Sequence, residues 1–289
     1  MANHDFPLLR IAAIDYLNPA PLMWDFEHGP RQAELAGRYS IHRTTPANCA
    51  RELAEGTADI GLIPAAAYAL QPELAIIPGC AIASLGRVRS ILLVVREGGV
   101  ESVRTVAADT STRTSLAYTE ILFRKYWKPG SPVEFLQHPP SLDLMLAHAD
   151  AALLIGDPAL LALEDAPARL ARTAENLQYL DLAREWLQHT GLAWVSAFWA
   201  VRPQALDGIS ASKITEDFQR SRDAGLAHID ELVAEWLPRI AVPPATIKTY
   251  LTENIHYVLD EPCLAGLRGF YEAAAECGVL PPVPDLRML

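Results

Sequence analysis

The chain has 289 residues, 51% of them apolar and 20% charged, a balance that excludes a disordered or fibrous polypeptide and leaves enough length for two hydrophobic cores. Its 35 Asp and Glu against 24 Lys and Arg give a net charge of −11, which repels phosphate backbones and anionic lipid surfaces and argues against a nucleic-acid or membrane partner. Cys49, Cys80, Cys263 and Cys277 are too sparse for a disulfide framework and never fall two residues apart, so they are expected as reduced thiols in a cytoplasmic protein.

At the amino terminus, acidic Asp5 and Asp15 stand where a secretory signal has a basic region and a continuous apolar run, so no export is expected. Apolar runs such as Ile91 to Val95 are far shorter than the roughly 18 residues a membrane span needs and fit buried strands. In chain order the predicted strands are Leu9 to Ile14, Tyr39 to Arg43, Asp59 to Ile63, Ser90 to Arg96, Thr105 to Ala108, Val133 to Leu136, Ala151 to Ile155 and Val195 to Val201. Stretches with helical spacing alternate with them, the pattern of an α/β protein with a largely parallel sheet. Pro19, Pro46 and Pro158 mark three handovers into helices, where a missing amide hydrogen costs nothing. Beyond about residue 203 the pattern turns helical, with amphipathic segments at Ser212 to Leu226, His228 to Leu237, Pro244 to Leu251 and Glu261 to Cys277. The Pro-rich end from Pro281 reads as an extended tail.

Familiar catalytic fingerprints do not occur. Ile82 holds the first glycine position that a nucleophile elbow around Ser84 and Gly86 would need, and no Gly-rich nucleotide loop is present. The eight histidines are scattered without a helical ligand pair beside a third ligand, so neither a metal nor a cofactor is expected, and any chemistry is cofactor-free.

Four segments carry candidate chemistry. In the first, AADTSTRTS at 107–115, a strand hands over to a helix whose first turn exposes unpaired amides. Thr110, Ser111, Thr114 and Ser115 with Arg113 add donors beyond what one helix cap needs, so the turn is either a cap or a carboxylate site. The second, SLGRVRS at 84–90, offers Ser84, Arg89 and Ser90 to an anion, with Gly86 permitting close backbone approach; the alternative is solvated arginines in a loop. The third is DYLNPAP at 15–21, where Tyr16 and Asn18 lie at a strand-to-helix turn. In an open α/β sheet this edge, shared with Thr110 and with Gly156 and Asp157, is where ligands bind. Asn18 is a helix cap or a ligand contact, and Asp157 either a cap for its helix or an acid or base in a cleft. The fourth runs from His189, with Thr190 and Gly191 before an aromatic strand whose Trp194, Phe198 and Trp199 fill a core or wall a ring-shaped ligand.

Taken together and in order, DYLNPAPL, ADIGLIPAAAY, GRVRSILL, DTSTRTS, LLIGDPAL and HTGLAWVSAFWA resemble the chorismate dehydratase family of menaquinone biosynthesis, MqnA, over about residues 9 to 202. The resemblance implies a two-lobed periplasmic-binding-protein-like fold of the second type, with the ligand in the cleft between lobes. It places residues 1–97 with 200–289 in one lobe and 98–199 in the other. It also implies a lyase of the futalosine pathway, converting chorismate to 3-[(1-carboxyvinyl)oxy]benzoate and water without a cofactor. On that footing Asn18 and Asp157 are the catalytic candidates. Tyr16, Ser84, Gly86, Arg89, Ser90, Thr110, Ser111, Thr114, Gly156 and Thr190 are the substrate contacts. Arg87 stands where relatives commonly have proline. The alternatives are a non-enzymatic carboxylate-binding protein of the same fold and the related MqnD-type enzyme acting on a cyclic futalosine derivative.

Overall fold

A computed structural model describes residues 8–206, 209–283 and 285–289. Residues 1–7, with the segment bearing Asp5, and Pro284 of the Pro-rich end lie outside the described residues. Two five-stranded sheets carry the fold. The strands are β1 (Leu9–Ile14), β2 (Tyr39–Thr44), β3 (Ile60–Pro64), β4 (Ala75–Ser84), β5 (Ile91–Val95), β6 (Thr105–Asp109), β7 (Glu134–His138), β8 (Ala151–Ile155), β9 (Gln178–Asp181) and β10 (Trp194–Val201). The first sheet has the order β2-β1-β3-β10-β4 and the second β7-β6-β8-β5-β9.

Neither sheet is wholly parallel. β1, β2 and β3 run parallel in the first, as do β6, β7 and β8 in the second. β10 and β5 run antiparallel to both their neighbours. These are the two strands the chain enters directly after changing sheets, which sets the crossings at residues 85–90 and 182–193. The lobe boundaries expected at 97 and 200 therefore shift: Ile91–Val95 belongs to the second sheet and Trp194–Val201 to the first.

All eight predicted strands form within two residues of their expected ends; the central ones are apolar runs buried on both faces, whereas β2 and β7 are partly exposed edge strands. β4 and β9 are additional. β4 escapes notice because Pro78 and Gly79, the latter with φ of 77°, interrupt it with a bulge, across which its pairing with β10 slips between Phe198 and Ala200. β9 is a four-residue edge strand. The carboxy-terminal helices form as predicted and close over the first sheet, and Arg287 to Leu289 dock beside β4 through Ile76. Trp194, Phe198 and Trp199 are all fully buried, and Trp194 stacks on Tyr118 at 3.8 Å, so these aromatics are core and wall no ligand.

Candidate functional site

The carboxyl ends of β1, β3, β6 and β8 converge between the two sheets, and the turns that follow them line a cleft. Tyr16 and Asn18 reach it from the turn after β1, Ser111 to Ser115 from the turn after β6, and Gly156 from the end of β8. Ser90 and Ile91 border it at the first crossing, Ser196 and Ala197 early in β10, and Ile14, Pro64 and Ile82 supply apolar wall. Arg113 is the one charged residue among the lining residues.

The 109–115 turn spends part of its donors on Asp109 and the backbone and leaves the rest free. Asp109, buried at the end of β6, folds its Oδ1 back to accept from the Ser111 amide at 2.8 Å and the Ser111 hydroxyl at 2.7 Å. The helix Thr114–Leu122 then starts without a side-chain cap, and the buried Thr112 hydroxyl has no partner. An uncapped helix start beside an unpartnered hydroxyl is an acceptor-seeking surface, suited to a carboxylate. Burial also raises the Asp109 carboxyl above its ordinary range, and its Oδ2 is unpartnered.

Across the cleft the Asn18 side chain shows the complementary feature: its Oδ1 is buried without a hydrogen-bond partner. An amide carries both donors and an acceptor, so the group can engage a hydroxyl in either sense. Four contacts hold the two sides together. Tyr16 Oη lies 3.2 Å from Ser111 Oγ, the Ala66 amide donates to Thr114 Oγ1 at 3.0 Å, the Leu17 amide donates to Asp157 Oδ1 at 3.2 Å, and Tyr250 Oη donates to Ser90 Oγ at 2.7 Å. Gly156, with φ of 63°, lies flat against the Tyr16 ring; a Cβ there would come within 2.9 Å of the ring.

Six of the twelve expected site residues thus share the cleft: Tyr16, Asn18, Ser90, Ser111, Thr114 and Gly156. Asp157 sits just behind it, its carboxyl facing the Leu17 amide, and burial pushes it up to about 6. The other five are elsewhere. Ser84 Oγ accepts from the Gly86 amide within its own turn, and neither residue lines the cleft. Arg89, itself in the left-handed region with φ of 63°, pairs with Glu164 at 2.6 Å. The amides of Val88 and Arg89 donate to the carboxylate of Asp181, so this turn does bind an anion, but one supplied by the chain. Thr110 is exposed, its amide bonded to the carbonyl of His138. Thr190 bonds back to the Trp186 carbonyl and accepts from the Leu192 amide, closing its helix at Gly191.

Asp109, Thr112 and Ser196 line or support the cleft without having been expected there. Asp109 and Thr112 were inside the recognised turn but not singled out, and Ser196 read as one residue of an aromatic strand.

No helix among the described residues is long and apolar enough to cross a membrane. The two sheets, the double crossing and the cleft between them define a two-lobed protein of the periplasmic-binding-protein-like class. Solved structures of that fold superpose over nearly the whole chain. The protein AF1704 from Archaeoglobus fulgidus gives a TM-score of 0.70 at 17% identity, over 96% of this chain and 100% of that one. The alkanesulfonate-binding protein SsuA from Xanthomonas axonopodis pv. citri, bound to MOPS, gives 0.65 at 12%, over 95% and 94%. The periplasmic aliphatic sulphonate binding protein SsuA from Escherichia coli gives 0.63 at 11%, over 98% and 94%. The sequence is more specific than the fold: the model of the menaquinone biosynthesis family matches residues 9–276, and the chain belongs to that family.

Proposed function

We propose that this member of the menaquinone biosynthesis family is a chorismate dehydratase, a cytoplasmic, cofactor-independent lyase that forms 3-[(1-carboxyvinyl)oxy]benzoate. Chorismate is a dianion with a cyclohexadiene ring, a hydroxyl and an enolpyruvyl ether. A cleft for it needs carboxylate holders, an apolar wall for the ring and a group for the departing hydroxyl. The uncapped turn 111–115 with Arg113 supplies the first, Ile14, Pro64, Ile82 and Ile91 the second, and Asn18 the third. Neutral hydroxyl and amide donors hold anions in a dry cleft without a basic patch, which reconciles a dianionic substrate with a net charge of −11.

In the reaction the C–H bond at the ether-bearing ring carbon and the C–O bond of the neighbouring hydroxyl break. The electron pair of the C–H bond completes the aromatic ring, and the proton and hydroxide leave as water. Aromatisation provides the driving force, so the protein's task is positioning and help to the leaving group. Asn18 hydrogen-bonds the departing hydroxyl, and a substrate carboxylate takes the proton. Asp157 is the alternative base, but its Oδ1 is already engaged by the Leu17 amide, and it lies behind the lining rather than in it.

The observation that carries this reading is the unpartnered Asn18 amide facing an uncapped, hydroxyl-rich helix start across one cleft. The test is to incubate purified protein with chorismate and follow the diene absorption together with product mass. Loss of one water with a benzoate spectrum supports it. Unchanged chorismate that raises the melting temperature identifies a binding protein instead, as the sulphonate-binding neighbours would suggest. Asn18→Ala is expected to lower kcat by roughly 10²–10³-fold, the loss found when one preorganised donor is removed. Full turnover in that variant would remove Asn18 from the mechanism.

A further inference from the structure

Outside the cleft, on the carboxy-terminal helices, one cluster joins three side chains of ligand type. His256, Asp260 and Cys263 each bring a donor atom within 4.8 Å of the other two. The spacing is four and three residues, but only part of the segment is helical, so the sequence concealed a grouping that the tertiary structure makes.

Each donor is fixed by a separate anchor. The backbone of His256 pairs with Ala83 of β4 through two hydrogen bonds, at 2.8 and 3.0 Å, which hold the residue against the first sheet. Asp260 is the cap of the helix Glu261–Glu276, its Oδ1 accepting from the Cys263 amide at 3.2 Å while Oδ2 lies 2.8 Å from Nε2 of His256. Cys263 sits in the first turn of that helix, behind Pro262, and is fully buried. The His256 and Asp260 side chains keep 27% and 34% exposure, so the cluster is open to solvent on one side and closed by the thiol on the other.

We infer that Nε2 of His256, Oδ2 of Asp260 and Sγ of Cys263 form a binding site for a borderline-soft divalent metal ion, zinc above all, with water in the fourth position. The mixed donor set argues for it: magnesium and calcium take all-oxygen shells, whereas imidazole with thiolate selects zinc and its neighbours. Tetrahedral bonds of about 2.0–2.3 Å separate ligand atoms by roughly 3.3–3.8 Å, so the three donors need side-chain adjustment only. Burial pushes the Cys263 thiol up to about 12, so without metal it is neutral and unreactive, and coordination displaces its proton. The other cysteines have no such company among the described residues. A metal here would tie the carboxy-terminal helices to the end of β4, next to the 85–90 crossing between sheets, and so stiffen the first hinge of the cleft. The site is independent of the dehydratase reading.

The probe is cobalt(II), added to the chelator-treated full-length protein. Expected are a thiolate-to-cobalt charge-transfer band and tetrahedral visible bands saturating at one ion per chain, both removed by zinc, with zinc raising the melting temperature. Cys263→Ser should fold, lose the charge-transfer band and lose the zinc-dependent shift. His256→Asn should weaken cobalt binding by at least roughly tenfold, as removing a ligand contact does. The inference is overturned if wild-type protein gives no charge-transfer band at millimolar cobalt, or if the band persists in Cys263→Ser, which would place it on another thiol.

Discussion

The turns 84–90 and 109–115 carry nearly the same inventory. Each follows a buried strand, and each offers hydroxyls, free amides and arginine to an anion. In the first, the amides of Val88 and Arg89 are filled by Asp181, and the Arg89 guanidinium by Glu164. In the second, the helix start has no side-chain cap and the Thr112 hydroxyl has no partner. The first turn is therefore an anion site filled by the chain itself, whereas the second keeps unpartnered donors at the cleft, and the tertiary structure decides the difference. The filled turn is structural and serves the crossing between sheets; the open one faces the cleft.

The largest expected effect that tests this contrast is on the filled turn. Asp181→Ala strips three amides, those of Val88, Arg89 and Arg184, of their acceptor and removes the cap of the helix Leu182–Thr190. A stability loss on the order of 3 kcal/mol in chemical denaturation is expected. A loss below about 0.5 kcal/mol would mean that the turn does not depend on its internal anion.

Next comes Asp157, a carboxylate on the open side with a single amide partner. Burial raises its pKa from 3.8 to about 6, so the folded chain holds this proton more tightly than the unfolded one. The folded state then loses stability as pH rises through about 4 to 6, and at neutral pH the ionised group costs at most about 3 kcal/mol. Asp157→Asn should raise the melting temperature at pH 7.5, with the gain fading below about pH 4. Equal gains at both pH values would show that the effect is not one of charge. Turnover in the same variant should fall less than in Asn18→Ala; a larger fall would make Asp157 the base.

The smallest effect sharpens the comparison most. Thr112→Val replaces a buried, unpartnered hydroxyl with a methyl of similar size, so stability should be unchanged or slightly higher, while affinity for a dicarboxylate should drop by roughly fivefold, about 1 kcal/mol. Calorimetric titration beside a thermal melt separates the two. Weaker binding together with a lower melting temperature would mean that Thr112 supports the turn rather than the ligand.

Legibility followed the range of the interactions. Most of the eight predicted strands are buried apolar runs whose identity is local, and the helix at Thr114 is announced by its own first turn. β4 was hidden by the bulge at Pro78 and Gly79, and the lobe boundaries by the fact that β5 and β10 pair with strands of the sheet the chain is entering. Tyr16, Asn18, Ser111, Thr114 and Gly156 were legible because they follow strands whose carboxyl ends meet at the cleft. Ser84, Arg89, Thr110 and Thr190 have the same chemistry, but their bonds go to their own turn, to Glu164, to His138 and to Trp186.

What the sequence alone determined was the α/β alternation, the helical carboxy-terminal third, the family and the presence of donor-rich turns, all encoded within short windows by periodicity, caps and composition. Only the tertiary structure decided which of those turns keeps unpartnered donors, because the acceptor that fills the first, Asp181, lies 92 residues from Arg89 along the chain. It also decided that His256, Asp260 and Cys263 meet, since the strand that anchors the histidine lies in the first third of the chain and the helix that carries the thiol in the last. Hydrogen-bond satisfaction is a property of the folded neighbourhood, and a residue's own type cannot specify who its partner will be.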